Sequence, residues 1–151
     1  MKNLILKNDR ATNMLGQKIS EIILNSNKQD IEIHLQGDLG AGKTFITRSI
    51  IKNSGWKDLV KSPTYTLCEE YDLGEILFLH IDLYRTNEAQ DIDIFDLNRG
   101  SHKKKIILIE WSERLQFERK FDLKINFFHY ENKRKINITY GTDIFKALEK
   151  N

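Results

Sequence analysis

An α/β fold with a mostly parallel central sheet is predicted by two features of this 151-residue chain. Residues 76–82 and 106–110 are almost continuously apolar, which is typical of parallel strands buried on both faces. A glycine-rich segment, 37–44, stands between a strand-like stretch at 31–35 and a helix-like stretch at 44–53. We therefore predict a mostly parallel sheet with antiparallel hairpins and flanking helices.

The glycine-rich segment reads GDLGAGKT and fits the phosphate-binding pattern GxxxxGK[ST]. Because its flanks are the strand and helix that this pattern requires, we predict a single P-loop NTPase-type domain. The glycines let backbone N–H groups surround an anion at the start of the helix. Lys43 would reach the β- and γ-phosphates, and the Thr44 hydroxyl would bind Mg²⁺. The remaining loop residues predicted to contact the nucleotide are Asp38, Leu39, Gly40, Ala41 and Gly42.

Two acidic residues, Asp82 and Glu110, stand at the ends of the two apolar runs. Ligands of open α/β sheets bind beyond the carboxyl ends of such strands. Mg²⁺ in proteins typically takes one or two carboxylates together with phosphates and water. We therefore predict that at least one of the two acids binds the metal or orients the attacking water. The sequence does not decide which one binds the metal, so both are candidate metal ligands and, with Lys43, candidate catalytic residues.

Length and composition favour one domain over residues 1–151 and exclude several classes of protein. The net charge of +2, from 24 basic and 22 acidic side chains, is too small for bulk attraction to nucleic acid or membrane. A single cysteine, Cys68, excludes an intramolecular disulfide framework and suits a reducing compartment. No apolar run approaches the ~20 residues of a membrane span. We expect a cytoplasmic protein without membrane contact.

The elements around this centre follow from periodicity and turn chemistry. Residues 2–6 predict a short strand, and Asn8, Asp9 and Thr12 offer caps for the helix that follows. Two hairpins are predicted, one from strands 65–71 and 76–84 and one from strands 123–130 and 135–140. Thr142 is expected to cap a terminal helix.

Three further segments allow a functional interpretation that we weigh against a structural one. Residues 27–30 read NKQD, like the guanine-reading NKxD, but they precede the phosphate loop and are interpreted as a polar turn. The lysines at 103–105 are expected to be solvated surface in preference to a contact with RNA or an acidic partner. His80 is expected to point away from the face of Asp82, and we assign it no catalytic role. Residues 87–98 predict a helix.

Four motifs, GDLGAGKT, SPTYTL, HIDLYR and LIEWSE, occur in an order and spacing that resemble the TsaE (YjeE) ATPases of tRNA threonylcarbamoyladenosine biosynthesis. The resemblance covers nearly the whole chain. It implies ATP or ADP bound with Mg²⁺, Thr44 and Glu110 as metal ligands, and Asp82 close to the γ-phosphate or its water. It also implies a mobile loop at 62–66 near the phosphates. Further nucleotide-binding residues implied by the resemblance are Thr12, Thr64, Trp111 and Arg134.

The family resemblance also implies partners. Such proteins work with TsaB and TsaD, which transfer a threonylcarbamoyl group to adenosine 37 of certain tRNAs, and ATP hydrolysis supports turnover of that assembly. Contact with tRNA would be indirect, through the complex. The segment 93–100 departs from the family pattern. If this segment forms partner surface, the departure bears on the affinity for partners before it bears on the chemistry.

Two other classes of function remain open at this stage. A small-molecule P-loop kinase would need an acceptor pocket and usually a lid that carries arginines, and no long Arg-bearing insertion is visible. A nucleotide-dependent switch with negligible hydrolysis would share every motif above. Arg85 is a candidate for a positive charge supplied in cis to the transferred phosphate, or it pairs with Asp82 or Glu110.

Overall fold

Seven strands form one sheet in the computed structural model, which describes residues 1–61, 63, 68–85, 97 and 100–150. Two α-helices and two 3₁₀ segments complete the described secondary structure. In chain order the elements are β1 (Lys2–Leu6), α1 (Asp9–Asn25), β2 (Asp30–Gly37), α2 (Lys43–Asn53), β3 (Cys68–Asp72), β4 (Ile76–Asp82), β5 (Lys104–Glu110), a 3₁₀ turn (Ser112–Arg114), β6 (Leu123–Tyr130), β7 (Lys133–Tyr140) and a 3₁₀ helix (Asp143–Lys150).

The strand order across the sheet is β1-β7-β6-β2-β5-β4-β3. The four central strands, β6, β2, β5 and β4, are parallel to one another, while β1, β7 and β3 join by antiparallel pairing. This arrangement confirms the predicted α/β class and both predicted hairpins. In the second hairpin β7 begins at Lys133, so the turn is the two residues 131–132 and is shorter than the sequence suggested.

The apolar runs of β4 and β5 are buried because both faces of these strands are covered. On one face, Phe78, Ile106 and Leu108 belong to the main core, which includes residues of α1 and α2. On the other face, the alternate residues of β4 and β5 form a second cluster with Leu97. Alternation between two cores explains why the sequence of these strands is continuously apolar.

The phosphate-loop helix α2 is held in place by its contact with α1. Asn8 caps α1, since its Oδ1 accepts a hydrogen bond of 2.9 Å from the backbone N–H of Ala11. The Ser49 hydroxyl of α2 donates to Asn13 Oδ1 at 2.7 Å, and Ser20 and Ser54 join the two helices at 3.0 Å. These polar contacts fix α2, and with it the loop that precedes it, relative to the sheet.

Two of the three lysines at 103–105 are not the solvated surface that we expected. Lys105 is 3% exposed, and its Nζ donates to the carbonyl oxygen of Leu97 at 2.6 Å. The Nζ of Lys104 donates at 2.8 Å to the Ile23 carbonyl at the end of α1, where the helix dipole favours a cation. Because successive side chains of a strand point to opposite faces, adjacent lysines of β5 reach different partners.

The predicted C-terminal helix is present. Asp143–Lys150 is a 3₁₀ helix, not an α-helix, and the Thr142 hydroxyl donates to Asp122 Oδ1 at 2.8 Å. Phe145 and Leu148 are buried three residues apart, which matches the three-residue turn of a 3₁₀ helix. The helix predicted at 87–98 lies outside the described residues, apart from Leu97. Within the described part of the chain, no helix has the length and apolar character needed to cross a membrane.

Candidate functional site

The carboxyl ends of the parallel strands β2, β5 and β4 open onto a cavity of about 540 Å³. This is the edge at which α/β sheets bind ligands. The cavity is lined by the phosphate loop, the start of α2, the two strand-end acids and one residue of β7. The lining residues are Leu39, Gly40, Gly42, Lys43, Thr44, Phe45, Pro63, Asp82, Tyr84, Arg85, Glu110, Trp111 and Arg134.

The loop between β2 and α2 is shaped to receive an anion. Gly42 has φ 122°, and a Cβ there would lie 2.8 Å from the guanidinium Nε of Arg134, so only glycine fits. No described side chain caps α2. The first N–H groups of a helix have no intrahelical acceptor, and together with the helix dipole they favour a bound phosphate. The loop therefore fits the predicted phosphate group.

Lys43 is the first residue of α2 and is 4% exposed. Its Nζ donates to the carbonyl oxygens of Gly37 and Asp38, the latter at 2.7 Å, and lies 4.2 Å from the ring centroid of Trp111. Burial lowers the pKa of Lys43, while the nearby carboxylates, Glu110 first among them, oppose that shift. Lys43 is thus a buried cation on the wall of the cavity.

Two of the three side chains predicted to hold the metal, Thr44 and Glu110, are in direct contact. The Thr44 hydroxyl donates to Glu110 Oε1 at 2.7 Å. Asp82 is the register partner of Glu110 on the adjacent strand. No group of three or more His, Cys, Asp or Glu side chains among the described residues is arranged around a common metal position. One hydroxyl and two carboxylates suit Mg²⁺, which keeps phosphate and water among its ligands.

Asp82 differs from Glu110 in its surroundings. Burial raises the pKa of Asp82, and the negative charge of Glu110 adds to this, against a backbone hydrogen bond of 2.9 Å from the N–H of Tyr84. A carboxyl with a raised pKa is a better proton acceptor than an ordinary aspartate. The environment of Asp82 therefore suits a base or a water-orienting group.

Trp111, directly after Glu110, has a left-handed backbone with φ 60° and ψ 41°. A bulky residue in this conformation is strained, and such strain is concentrated at functional sites. Its ring contacts Lys43 and lies 4.9 Å from the ring of Tyr84. The turn thus brings the indole into the wall of the cavity.

Arg134 closes the other side of the cavity. Its Nη1 donates to the Thr12 hydroxyl at 2.8 Å and pairs with Asp9 Oδ1 at 3.0 Å, while its guanidinium lies 4.9 Å from the ring of Phe45. Thr12 is fully buried and does not line the cavity. Thr12 would therefore act on a ligand by orienting Arg134.

Most predicted site residues meet at this cavity, but not all of them line it. Asp38 and Ala41 contribute to the loop through a backbone hydrogen bond of 3.1 Å and are not among the lining residues. Thr64 lies outside the described residues, as do the other residues of the 62–66 segment except Pro63, which lines the cavity.

Phe45 and Tyr84 line the cavity and were missed by the sequence analysis. Phe45 directly follows the motif GDLGAGKT and Tyr84 lies within HIDLYR, which is the signal that could have found them.

His80 was placed incorrectly by the sequence analysis. Its Nε2 contacts Glu110 Oε2, so the ring lies on the same face of the sheet as the two acids, although His80 itself does not line the cavity. The physical reason is strand periodicity, since residues 80 and 82 are two apart and share a face. Arg85 lines the cavity, and among the described residues it forms no ion pair with Asp82 or Glu110.

Comparison with known proteins identifies the family. Residues 6–136 match the family model for the threonylcarbamoyl adenosine biosynthesis protein TsaE. The chain belongs to the TsaE family. The tRNA threonylcarbamoyladenosine biosynthesis protein TsaE of Haemophilus influenzae is 37% identical over 135 residues, covering 88% of this chain and 85% of the relative. The protein of the same name from Aquifex aeolicus is 34% identical over 143 residues, covering 91% and 96%.

The fold has a solved counterpart. The crystal structure of YdiB from Bacillus subtilis superposes with a TM-score of 0.68 at 24% identity, covering 99% of this chain and 91% of that one. At this identity the likeness shows the fold alone. The TsaE family places the chain in the biosynthesis of threonylcarbamoyladenosine in tRNA.

The two tryptophans provide an optical test of the site. Trp111 lines the cavity, whereas Trp56 packs against Tyr71 with ring centroids 5.1 Å apart and is not among the lining residues. We expect ADP to change the fluorescence emission, because the indole environment of Trp111 changes when a nucleotide enters. Trp111→Phe should remove most of that change, and Trp56→Phe, the matched control, should remove little. The opposite pattern would place the nucleotide elsewhere.

Proposed function

We propose that this TsaE-family chain is a cytoplasmic ATPase that binds ATP or ADP with Mg²⁺. Its hydrolysis would support threonylcarbamoyl transfer to adenosine 37 of tRNA by the TsaB and TsaD counterparts, so contact with tRNA would be indirect. The contact between the Thr44 hydroxyl and Glu110 Oε1 carries the proposal, because it joins the phosphate loop to a strand-end carboxylate. That pair is the ligand set a phosphate-bound Mg²⁺ requires.

The binding step uses the loop and the start of α2. Backbone N–H groups of the loop and the Lys43 ammonium would receive the phosphate oxygens. The ammonium would exchange its bonds to the Gly37 and Asp38 carbonyls for bonds to phosphate. Thr44 and Glu110 would hold Mg²⁺, which when bound neutralises the phosphate charge.

The hydrolytic step needs a water that is aligned with the γ-phosphate. Asp82 lies beside Glu110 at the edge of the cavity, and its raised pKa suits acceptance of a proton from that water. The contacts of Glu110 with Thr44 and His80 hold its carboxylate beside the phosphate loop. We therefore assign the metal to Glu110 and the water to Asp82.

Positive charge against the γ-phosphate limits the rate. Lys43, Arg85 and Arg134 line the cavity, but Arg134 is already bonded to Thr12 and Asp9. An arginine supplied in cis or by a partner is worth ~10³–10⁵ in the rate of such reactions. We therefore expect slow hydrolysis by the isolated chain and acceleration by partners that supply or position an arginine against the phosphate.

Phosphate release from Mg·ATP, with no added acceptor, tests the proposal. We expect slow release from the isolated chain and a rise of up to ~10³-fold when the TsaB and TsaD counterparts are added. The matched control is the same assembly without this chain. Fast turnover by the isolated chain, unchanged by those proteins, would favour a free-standing ATPase or a kinase instead. Nucleotide binding without release under either condition would favour a switch.

A further inference from the structure

The Glu110 carboxylate is held from both sides. Its Oε1 accepts the Thr44 hydroxyl at 2.7 Å, and its Oε2 contacts Nε2 of His80, which is 0% exposed. We propose that His80 is a positioning residue for the metal site, which holds the Glu110 carboxylate with one oxygen directed at Thr44 and Mg²⁺. The inference rests on the proposed function and assigns it a further residue.

The sheet register places His80 beneath the site. In the parallel pairing of β4 with β5, Asp82 is opposite Glu110, and His80 is opposite Leu108. His80 therefore lies one pleat repeat further from the carboxyl-end edge than the two acids, on the same face of the sheet. From there its ring reaches Glu110 from the core side, while Thr44 reaches it from the side of α2.

The hydrogen bond determines which nitrogen carries the proton. A carboxylate only accepts hydrogen bonds, so Nε2 of His80 is the donor. Nδ1 is also buried and has no hydrogen-bond partner within the described part of the chain. A buried polar atom without a partner costs stability. A leucine would fill this place without that cost, so packing alone does not explain why a histidine stands here. The hydrogen bond to Glu110 does explain it.

The effect of a residue that orients a metal ligand through a hydrogen bond has a typical size. A ligating carboxylate that is itself hydrogen-bonded is held in one rotamer, and loss of such a partner typically costs 10–100-fold in metal affinity or activity. Without His80, one oxygen of Glu110 is unbonded in a buried place, and the carboxyl is free to turn away from Thr44. Loss of His80 should therefore reduce the gain in nucleotide affinity that Mg²⁺ provides. It should not change the affinity for the nucleotide without metal.

The test is calorimetric titration of the full chain with ADP, in Mg²⁺ and again in EDTA. We expect His80→Leu to leave the affinity for metal-free ADP unchanged and to weaken the Mg²⁺-dependent gain in affinity by about 10–100-fold. His80→Gln should restore most of that gain, because its amide nitrogen lies near the place of Nε2 and donates to Glu110. His80→Leu in a Glu110→Gln background should cause no further loss, since the two residues act through one interaction.

The matched control is His34, which is also a buried histidine on a central strand. Its Nε2 contacts Glu32 Oε1 at 2.8 Å, and neither residue lines the nucleotide cavity. His34→Leu should leave the Mg²⁺-dependent gain at its parental size. If His80→Leu does not fold, His80→Asn, whose amide is too short to reach Glu110, takes its place in the comparison with His80→Gln.

Three results would overturn the inference. One is a parental Mg²⁺-dependent gain in the His80→Leu or His80→Asn chain. Another is a Mg²⁺-dependent gain in the His80→Gln chain that is no larger than in the His80→Leu chain. The third is an equal loss of ADP affinity with and without Mg²⁺, which would indicate a merely structural role. In each case the parent chain still binds Mg·ADP. A parent chain that binds no nucleotide would instead refute the proposed function, and this inference with it.

Discussion

Lys43→Ala is expected to lower kcat/KM for ATP hydrolysis by at least about 100-fold, the scale on which loss of one group that stabilises the transition state is felt. The ammonium is buried on the cavity wall, where charge is poorly screened and its effect on phosphate is large. The measurement is steady-state phosphate release in Mg·ATP with the TsaB and TsaD counterparts present. Parental binding and hydrolysis would show that the loop does not hold phosphate.

Lys52→Ala is the matched control for that variant. Lys52 lies in the last turn of the same helix, with an exposed side chain, so the same charge is removed far from the loop. The circular dichroism of the Lys43→Ala chain should equal that of the parent. Its thermal midpoint should fall, because Lys43 also donates two hydrogen bonds to the loop. A loss of activity shared by both variants would point to net charge and not to phosphate contact.

Asp82→Asn is expected to lower the turnover number by about 100-fold or more, since a positioned general base is worth 10²–10⁴. The substitution keeps the geometry, because the amide oxygen still accepts the hydrogen bond from the N–H of Tyr84. Affinity for ADP should change little. Single-turnover hydrolysis measured beside ADP binding separates the two quantities.

Glu110→Gln provides the contrast with Asp82→Asn. It weakens a proposed metal ligand, so the Mg²⁺ concentration for half-maximal activity should rise, whereas Asp82→Asn should leave that concentration near the parental value. A Mg²⁺ titration of both variants decides the assignment. Parental kinetics in both would remove the strand-end acids from the mechanism, and a reversed pattern would exchange their roles.

Local patterns in the sequence predicted the centre of the fold, because they depend on near neighbours only. The phosphate loop is recognised by its motif, and α2 and the strands β4 and β5 by their patterns of apolar residues, each within a short stretch of sequence. Family resemblance implied that Arg134 binds the nucleotide, but its position beside Gly42 was not predicted, since no local pattern links residues so far apart in sequence. The burial of Lys105 was missed because it depends on a contact with Leu97.

The error at His80 had a different origin. Strand periodicity alone places it on the face of Asp82, so the sequence contained the signal. Its contact with Glu110 could not be predicted in the same way, because it requires the pairing register of β4 with β5. Residues that share a face of one strand can be inferred from their spacing in sequence, whereas contacts between strands depend on how the strands pair in the sheet.

The position of β3 at the end of the sheet bears on self-association. A strand at the end of a sheet is the place where a strand of another copy could be added. β3 reads CEEYD, with acids at 69, 70 and 72. Two copies that met antiparallel along this edge would bring carboxylates opposite one another, and like charges at facing positions destabilise a strand pair. The acidic edge therefore disfavours sheet extension, and it protects a chain rich in apolar strands against edge-to-edge aggregation.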